Sequence, residues 1–164
     1  SLGISGVQFV GADVPGFFGN PSDELFVKFY QLGAFYPFFR AHAHIEYPDR
    51  EPYDQDQKVV DGIKVALELR YNISTYMYTQ FFIASTEGLP IMRPMWQEFP
   101  HHPHTFNQEA QFMLGDQMLV APKILENNGE DLTGAFWGTV NSWMNVEMED
   151  QNKITVYLPQ GHSW

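Results

Sequence analysis

The stretch Val7-Gln8-Phe9-Val10-Gly11-Ala12-Asp13-Val14-Pro15-Gly16-Phe17-Phe18 decides how the rest of the chain is read. Val7 to Val10 is a short, nearly continuous apolar run, the pattern of a strand buried on both faces of a parallel sheet. It leads into Gly11-Ala12-Asp13, after which Gly16 and Gly19-Asn20-Pro21 predict a loop. Ser22 or Asp23 can cap a following helix, and Glu24 in its first turn suits the positive end of the helix dipole. Leu25, Phe26, Phe29, Leu32 and Gly33 recur at steps of three and four, so the helix is expected to reach about Ala34.

Outward from that unit the pattern repeats. Phe35 to Phe39 reads as a second buried strand, ending in the polar cluster Arg40-Ala41-His42-Ala43-His44. A loop rich in Pro and Asp runs from Glu46 to about Asp56. Lys58 to Ser85 is then broadly apolar at helical spacing and predicts one long helix covered on several sides, stopped by Gly88. Strand, loop, helix, repeated, is the signature of parallel β/α units, and in a β/α barrel the active-site groups lie where strands end. Asp13 and the Arg40 to His44 cluster hold such positions. From about Gln108 the texture changes to short strands, at Phe112–Leu114, Met118–Val120 and Ile154–Leu158, separated by Gly, Asn and Asp. A separate antiparallel sheet is expected there, which divides the chain into residues 1–107 and 108–164.

Composition narrows the partners. Twenty acidic residues against nine basic ones leave a net charge of −11, which argues against nucleic acid and anionic membranes, both of which need a basic patch. No apolar run reaches the ~18 residues of a membrane span. With no cysteine there is neither a disulfide nor a thiolate metal site. The 16% aromatic content fits either sugar stacking or the packing of a large core. Ser1 to Val10 already reads as structured interior, so the chain is expected to be an excerpt of a longer protein. Two β/α units cannot close a barrel, and alone they are expected to expose strand edges and aromatic rings and to aggregate.

Asp13 has two readings: a turn or cap residue, or a buried carboxylate that accepts sugar hydroxyls or orients a nearby cation. Arg40 and His42, two apart on a strand-like segment, point to the same face; the first can pair with an aspartate and the second can donate to a hydroxyl. His42, His44, His101, His102 and His104 lack any metal-ligand spacing, so no metal is expected. The carboxylates Glu46, Asp49 and Glu51 read as solvated loop residues. Asn72-Ile73-Ser74 is a formal glycosylation sequon whose place inside a helix argues against occupancy.

Four ordered blocks make a family recognisable. Gly11-Ala12-Asp13-Val14-Pro15-Gly16-Phe17-Phe18 resembles the GAD-x-x-GF segment of the glycoside hydrolase family 31 α-glucosidases. Tyr30 to His44, followed by Arg50-Glu51-Pro52, resembles the next block, and Met92-Arg93-Pro94-Met95-Trp96 and Leu114 to Pro122 resemble two more. Arg40-Ala41-His42-Ala43-His44 is similar to the glucosidase II branch of that family, an endoplasmic reticulum group acting on N-glycans.

The resemblance implies an α/β fold: the C-terminal portion of a (β/α)8 TIM barrel over residues 1–107, then the first strands of an antiparallel β-sandwich domain. It implies a retaining glycosidase that removes terminal α-linked glucose, which needs two carboxyl groups ~5–5.5 Å apart. In the family both come from motifs of the types Trp-x-Asp-Met-Asn-Glu and Gly-Asp-Asn, neither of which is present here, so no catalytic residue is expected in this chain. Matched position by position, Asp13, Phe17, Arg40 and His42 are substrate-binding residues, with no cofactor. The implied partners are an α-glucoside or oligosaccharide substrate and a regulatory β subunit, in the endoplasmic reticulum lumen. A noncatalytic carbohydrate-binding or scaffold protein on the same fold is the competing expectation.

Overall fold

A computed structural model describes residues 2–123, 154 and 156–164. Its first helix, α1 (Asp23–Gly33), begins where the Ser22 hydroxyl accepts from the Leu25 N–H at 3.3 Å. Asp23 and Glu24 sit in the first turn, and Glu24 pairs with Lys28 at 2.6 Å. The buried face, with Phe26, Val27 and Tyr30, meets Val59, Ile63 and Ala66 of α2 (Gln57–Asn72). Full burial of a side chain such as Ile63 contributes ~1.5–3 kcal/mol. The helices approach closely because Gly62 is bare: a Cβ there would lie 2.7 Å from Cγ1 of Val27. Val14, fully buried, belongs to the same cluster, so packing of α1 on α2 also fixes the segment that carries Asp13.

The single helix expected over Lys58 to Ser85 is two. α2 ends at Asn72 and α3 runs Ser74–Glu87, separated by Ile73 at φ −89°, ψ 3°, which lies in the bridge region outside helical geometry. The break divides the apolar surface between two cores: α2 buries Val59 and Ile63 against α1, whereas Leu69 and Met77 join Ile91, Leu114 and Val120. The sequon therefore stands at a helix junction rather than inside one helix, with Asn72 and Ser74 exposed. Gly88 caps α3 at φ 72°.

Neither Val7 to Val10 nor Phe35 to Phe39 forms a regular strand, and Val7 and Phe9 are 48% and 64% exposed. Their parallel relationship is nevertheless present. The Phe38 N–H donates to the Val10 carbonyl at 3.1 Å, Val14 N–H to Arg40 O at 3.2 Å, and His42 N–H to Val14 O at 2.9 Å, around a parallel bridge between Val14 and Ala41. Arg70 of α2 explains the missing second strand. Its guanidinium donates to the carbonyls of Ala34, Tyr36 and Pro37 at 3.0, 2.6 and 3.2 Å. Tyr36 and Pro37 are adjacent, so in a strand their carbonyls would point to opposite sides and could not both meet one guanidinium.

The antiparallel sheet has the order β1-β2-β3: Met92–Pro94, Phe112–Leu114 and Met118–Val120, with Arg93 opposite Met113 and Met113 opposite Leu119. The two expected strands form, and their first partner comes from ahead of residue 108. Between β1 and β2 lie the short helix α4 (Met95–Glu98) and a 3₁₀ turn (Pro103–Asn107). The strand expected over Ile154–Leu158 is not seen among its described residues; Thr155 lies outside them. In its place the Gln111 side chain donates to the Tyr157 carbonyl at 3.0 Å and accepts from the Tyr157 N–H at 2.8 Å. One amide side chain thus makes the two bonds that a neighbouring strand would have made. Among the described residues no helix is long and apolar enough to cross a membrane.

Candidate substrate site

Gly11 is the residue that lets the two loops meet. A Cβ at this position would collide with the Phe38 carbonyl, so only glycine allows the backbones to close here. Two residues on, both Nε and Nη2 of Arg40 donate to Oδ1 of Asp13, at 3.0 and 2.9 Å. The Arg40 guanidinium also lies 5.3 Å from the Phe38 ring centroid. Alternation about the Val14–Ala41 bridge puts Asp13, Arg40 and His42 on the face opposite the buried Val14 side chain.

The Asp13 carboxylate accepts from Arg40, while its backbone carbonyl accepts from the Gly16 N–H at 2.8 Å in the turn that follows. The pair is not buried as expected, however: the side chains of Arg40 and Asp13 are 45% and 26% exposed. The physical reason is that the described residues cover only the Val14 side of these segments.

The second pair of expected residues meets on the cleft wall. The His42 ring stacks on Phe17 with centroids 5.5 Å apart and planes 23° apart. A cleft of about 250 Å³ opens beside it, lined by His42, His44, Tyr47, Pro48, Arg50 and Glu51 among others. That volume is below the ~300 Å³ at the low end of drug-sized sites and suits one small polar molecule. Of the four expected residues only His42 lines this cleft; Phe17 stacks on it from the first loop, and Asp13 and Arg40 share with His42 one face of the two bridged segments. Among the described residues no group of three or more His, Asp or Glu is placed to hold a metal ion.

His44, Tyr47 and Arg50, to which the sequence reading gave no binding role, also line the cleft. The His44 N–H donates to the Phe17 carbonyl at 2.9 Å, and its ring meets Phe17, Phe18 and Tyr47 at 5.3, 5.5 and 6.3 Å. The available signal was an arginine beside two prolines in a loop facing two glycines. Behind the cleft, burial pushes the Tyr30 hydroxyl up to about 12, with the Glu51 carboxylate adding to the rise.

Two segments in parallel register, followed by an antiparallel sheet, fit the closing part of a β/α barrel with a trailing sheet domain. Residues 1–80 match the family described as Glycosyl hydrolases family 31 TIM-barrel domain, and residues 88–164 match Glycosyl hydrolase family 31 C-terminal domain. The chain belongs to glycoside hydrolase family 31.

Among its relatives is a Mus musculus protein named neutral alpha-glucosidase AB, 41% identical over 161 residues, which are 97% of this chain and 17% of that one. An Arabidopsis thaliana protein named probable glucan 1,3-alpha-glucosidase is 45% identical over 164 residues, 100% of this chain and 15% of the relative. Solved structures of a glucosidase II alpha subunit superpose with TM-score 0.73 at 43% identity, covering 76% of this chain and 14% of theirs. One is bound to Glc1Man2; another is an ER heterodimeric complex with the binding domain of a regulatory subunit. The chain thus spans about a sixth of the length of the relatives it matches.

Proposed function

We propose that the protein carrying this chain is a retaining α-glucosidase that removes terminal α-linked glucose from oligosaccharides, and that this chain supplies one side of the sugar pocket. Asp13, held by Arg40, accepts from sugar hydroxyls; His42 donates to another; and Phe17 forms an apolar wall for a ring face. The two catalytic aspartates lie elsewhere in the longer protein, where they are the nucleophile and the acid/base of a double displacement. The observation that carries this reading is that the segments bearing all four residues lie within a match to α-glucosidases covering 97% of the chain.

The finer assignment is to the glucosidase II type: an enzyme of the endoplasmic reticulum lumen that trims glucose from N-glycans and binds a regulatory β subunit. It is supported by Arg40-Ala41-His42-Ala43-His44 and by the likeness to the glucosidase II alpha subunit.

The full-length protein should hydrolyse 4-nitrophenyl α-glucoside with retention of configuration, and the 164-residue chain alone should not, because positioning groups without a nucleophile and an acid supply little of the rate. Turnover by the isolated chain, blocked by a glucose-like iminosugar, would place a catalytic pair within it. A full-length protein that binds glucose without turnover would favour the noncatalytic carbohydrate-binding alternative.

A further inference from the structure

The turn that carries Phe17 and Phe18 is held from across the cleft by Arg50, a residue to which no sugar contact is assigned. Nη1 of Arg50 donates to the Gly16 carbonyl at 3.1 Å, and Nη2 donates to the Gly19 carbonyl and to Oδ1 of Asn20, the latter at 3.4 Å. Gly16 and Gly19 have φ of 107° and 73°, left-handed values that let two carbonyls three residues apart face one guanidinium. The guanidinium carbon also lies 5.4 Å from the centroid of Tyr47, so a single side chain joins the first loop to the far wall of the cleft. Among the described residues no carboxylate pairs with Arg50; its charge is met by oxygens of the turn and by a ring face. The planar fork of an arginine can serve three acceptors at once, whereas a lysine is a point charge on a flexible stem.

We propose that Arg50 is a positioning residue: it holds the Phe17–Phe18 wall against the His42–His44 side of the cleft and thereby sets the spacing of the Phe17–His42 stack. The inference rests on the sugar-binding function proposed above. It predicts an effect on substrate binding that passes through Phe17 and not through the general stability of the fold.

The test uses the full-length protein and 4-nitrophenyl α-glucoside. Arg50→Ala should raise KM about tenfold with a much smaller change in kcat, and Arg50→Lys should not restore it. With Phe17→Ala already in place, Arg50→Ala should add little, because the wall it holds is gone. Chymotryptic nicking after Phe17 or Phe18 in the native protein should be faster in Arg50→Ala than in wild type. A wild-type KM in Arg50→Ala overturns the inference, as does a loss that adds fully to that of Phe17→Ala, or an unchanged nicking rate. Should Arg50→Ala not fold, Arg50→Lys carries the same test, and a wild-type KM in that variant overturns the inference. An inactive wild type defeats the proposed function and this inference together, and is distinguishable from an active wild type with an unaffected variant.

Discussion

Arg40 reaches back 27 positions to place both Nε and Nη2 on one carboxylate oxygen of Asp13, at 3.0 and 2.9 Å. The contact is two hydrogen bonds to a single oxygen, which leaves the other carboxylate oxygen free of Arg40. Charge-assisted bonds of this kind stabilise by ~1.5–3 kcal/mol where water is excluded, whereas exposed ion pairs contribute ~0–1 kcal/mol.

With the pair half exposed, Arg40→Ala in the full-length protein should cost at most about 1 kcal/mol of stability. Its kcat/KM should nevertheless fall by about tenfold or more, since Asp13 loses the group that orients it. Thermal unfolding and steady-state kinetics measured together check this. An unchanged kcat/KM would remove Arg40 from the site.

Gly11→Ala tests the close approach of the loops. The added methyl meets the Phe38 carbonyl, which is backbone and cannot swing aside. The expected result is a loss of about 2 kcal/mol or more together with reduced glucoside turnover, because separating residues 11 and 38 also separates Asp13 from Arg40. Denaturant unfolding and kcat/KM measure the two effects. A variant as stable as wild type would mean that the loops are not pressed together here.

The Arg93–Glu98 pair is stapled at 2.7 Å, with the arginine side chain only 6% exposed. Glu98→Ala should cost about 3 kcal/mol, since it leaves that guanidinium without its countercharge. The double change Arg93→Met with Glu98→Leu should recover much of the loss, although Arg93 also donates through Nε to the Pro90 carbonyl at 2.6 Å. A urea double-mutant cycle reads the coupling.

Tyr30 predicts a pH effect. Burial first, and the Glu51 carboxylate second, raise its hydroxyl from 10.0 to about 12. Between these values the unfolded chain has given up a proton that the folded one keeps, so stability that is complete below pH 10 falls as the pH climbs toward 12. The hydroxyl is buried and has no hydrogen-bond partner among the described residues. Tyr30→Phe should therefore be neutral or stabilising at pH 7 and should flatten the alkaline limb of the stability profile. An unaltered alkaline limb would assign that limb to other groups.

Phe9, Phe18 and Phe82 are 64%, 68% and 62% exposed among the described residues, and Ile45 is 94% exposed. Expressed alone, the 164-residue chain should self-associate, as light scattering would report. A monodisperse monomer with a cooperative unfolding transition would count against this.

Local signals and ordered motifs were sufficient for a good part of this protein. Ser22 as a cap, the three-and-four spacing of α1, the strands around Met113 and Leu119, and the family itself were legible because each depends on neighbouring residues or on an ordered string of them. The likeness of Gly11-Ala12-Asp13 and Arg40-Ala41-His42 to the family's blocks singled out the candidate residues before any geometry was known. What the tertiary structure decided depends on groups distant in sequence. The apolar run at Phe35 reads as a strand, yet Arg70, more than thirty residues away, takes up the Ala34, Tyr36 and Pro37 carbonyls. The apolar pattern of Lys58 to Ser85 could not show a break at Ile73, because that break serves two cores assembled from different parts of the chain. Arg50 carried no motif role that revealed its hold on Gly16 and Gly19, since that hold exists only once 31 to 34 residues of intervening chain have folded back. Periodicity reports which face of a segment is apolar; which carbonyl meets which guanidinium is settled only by the packing that brings them together.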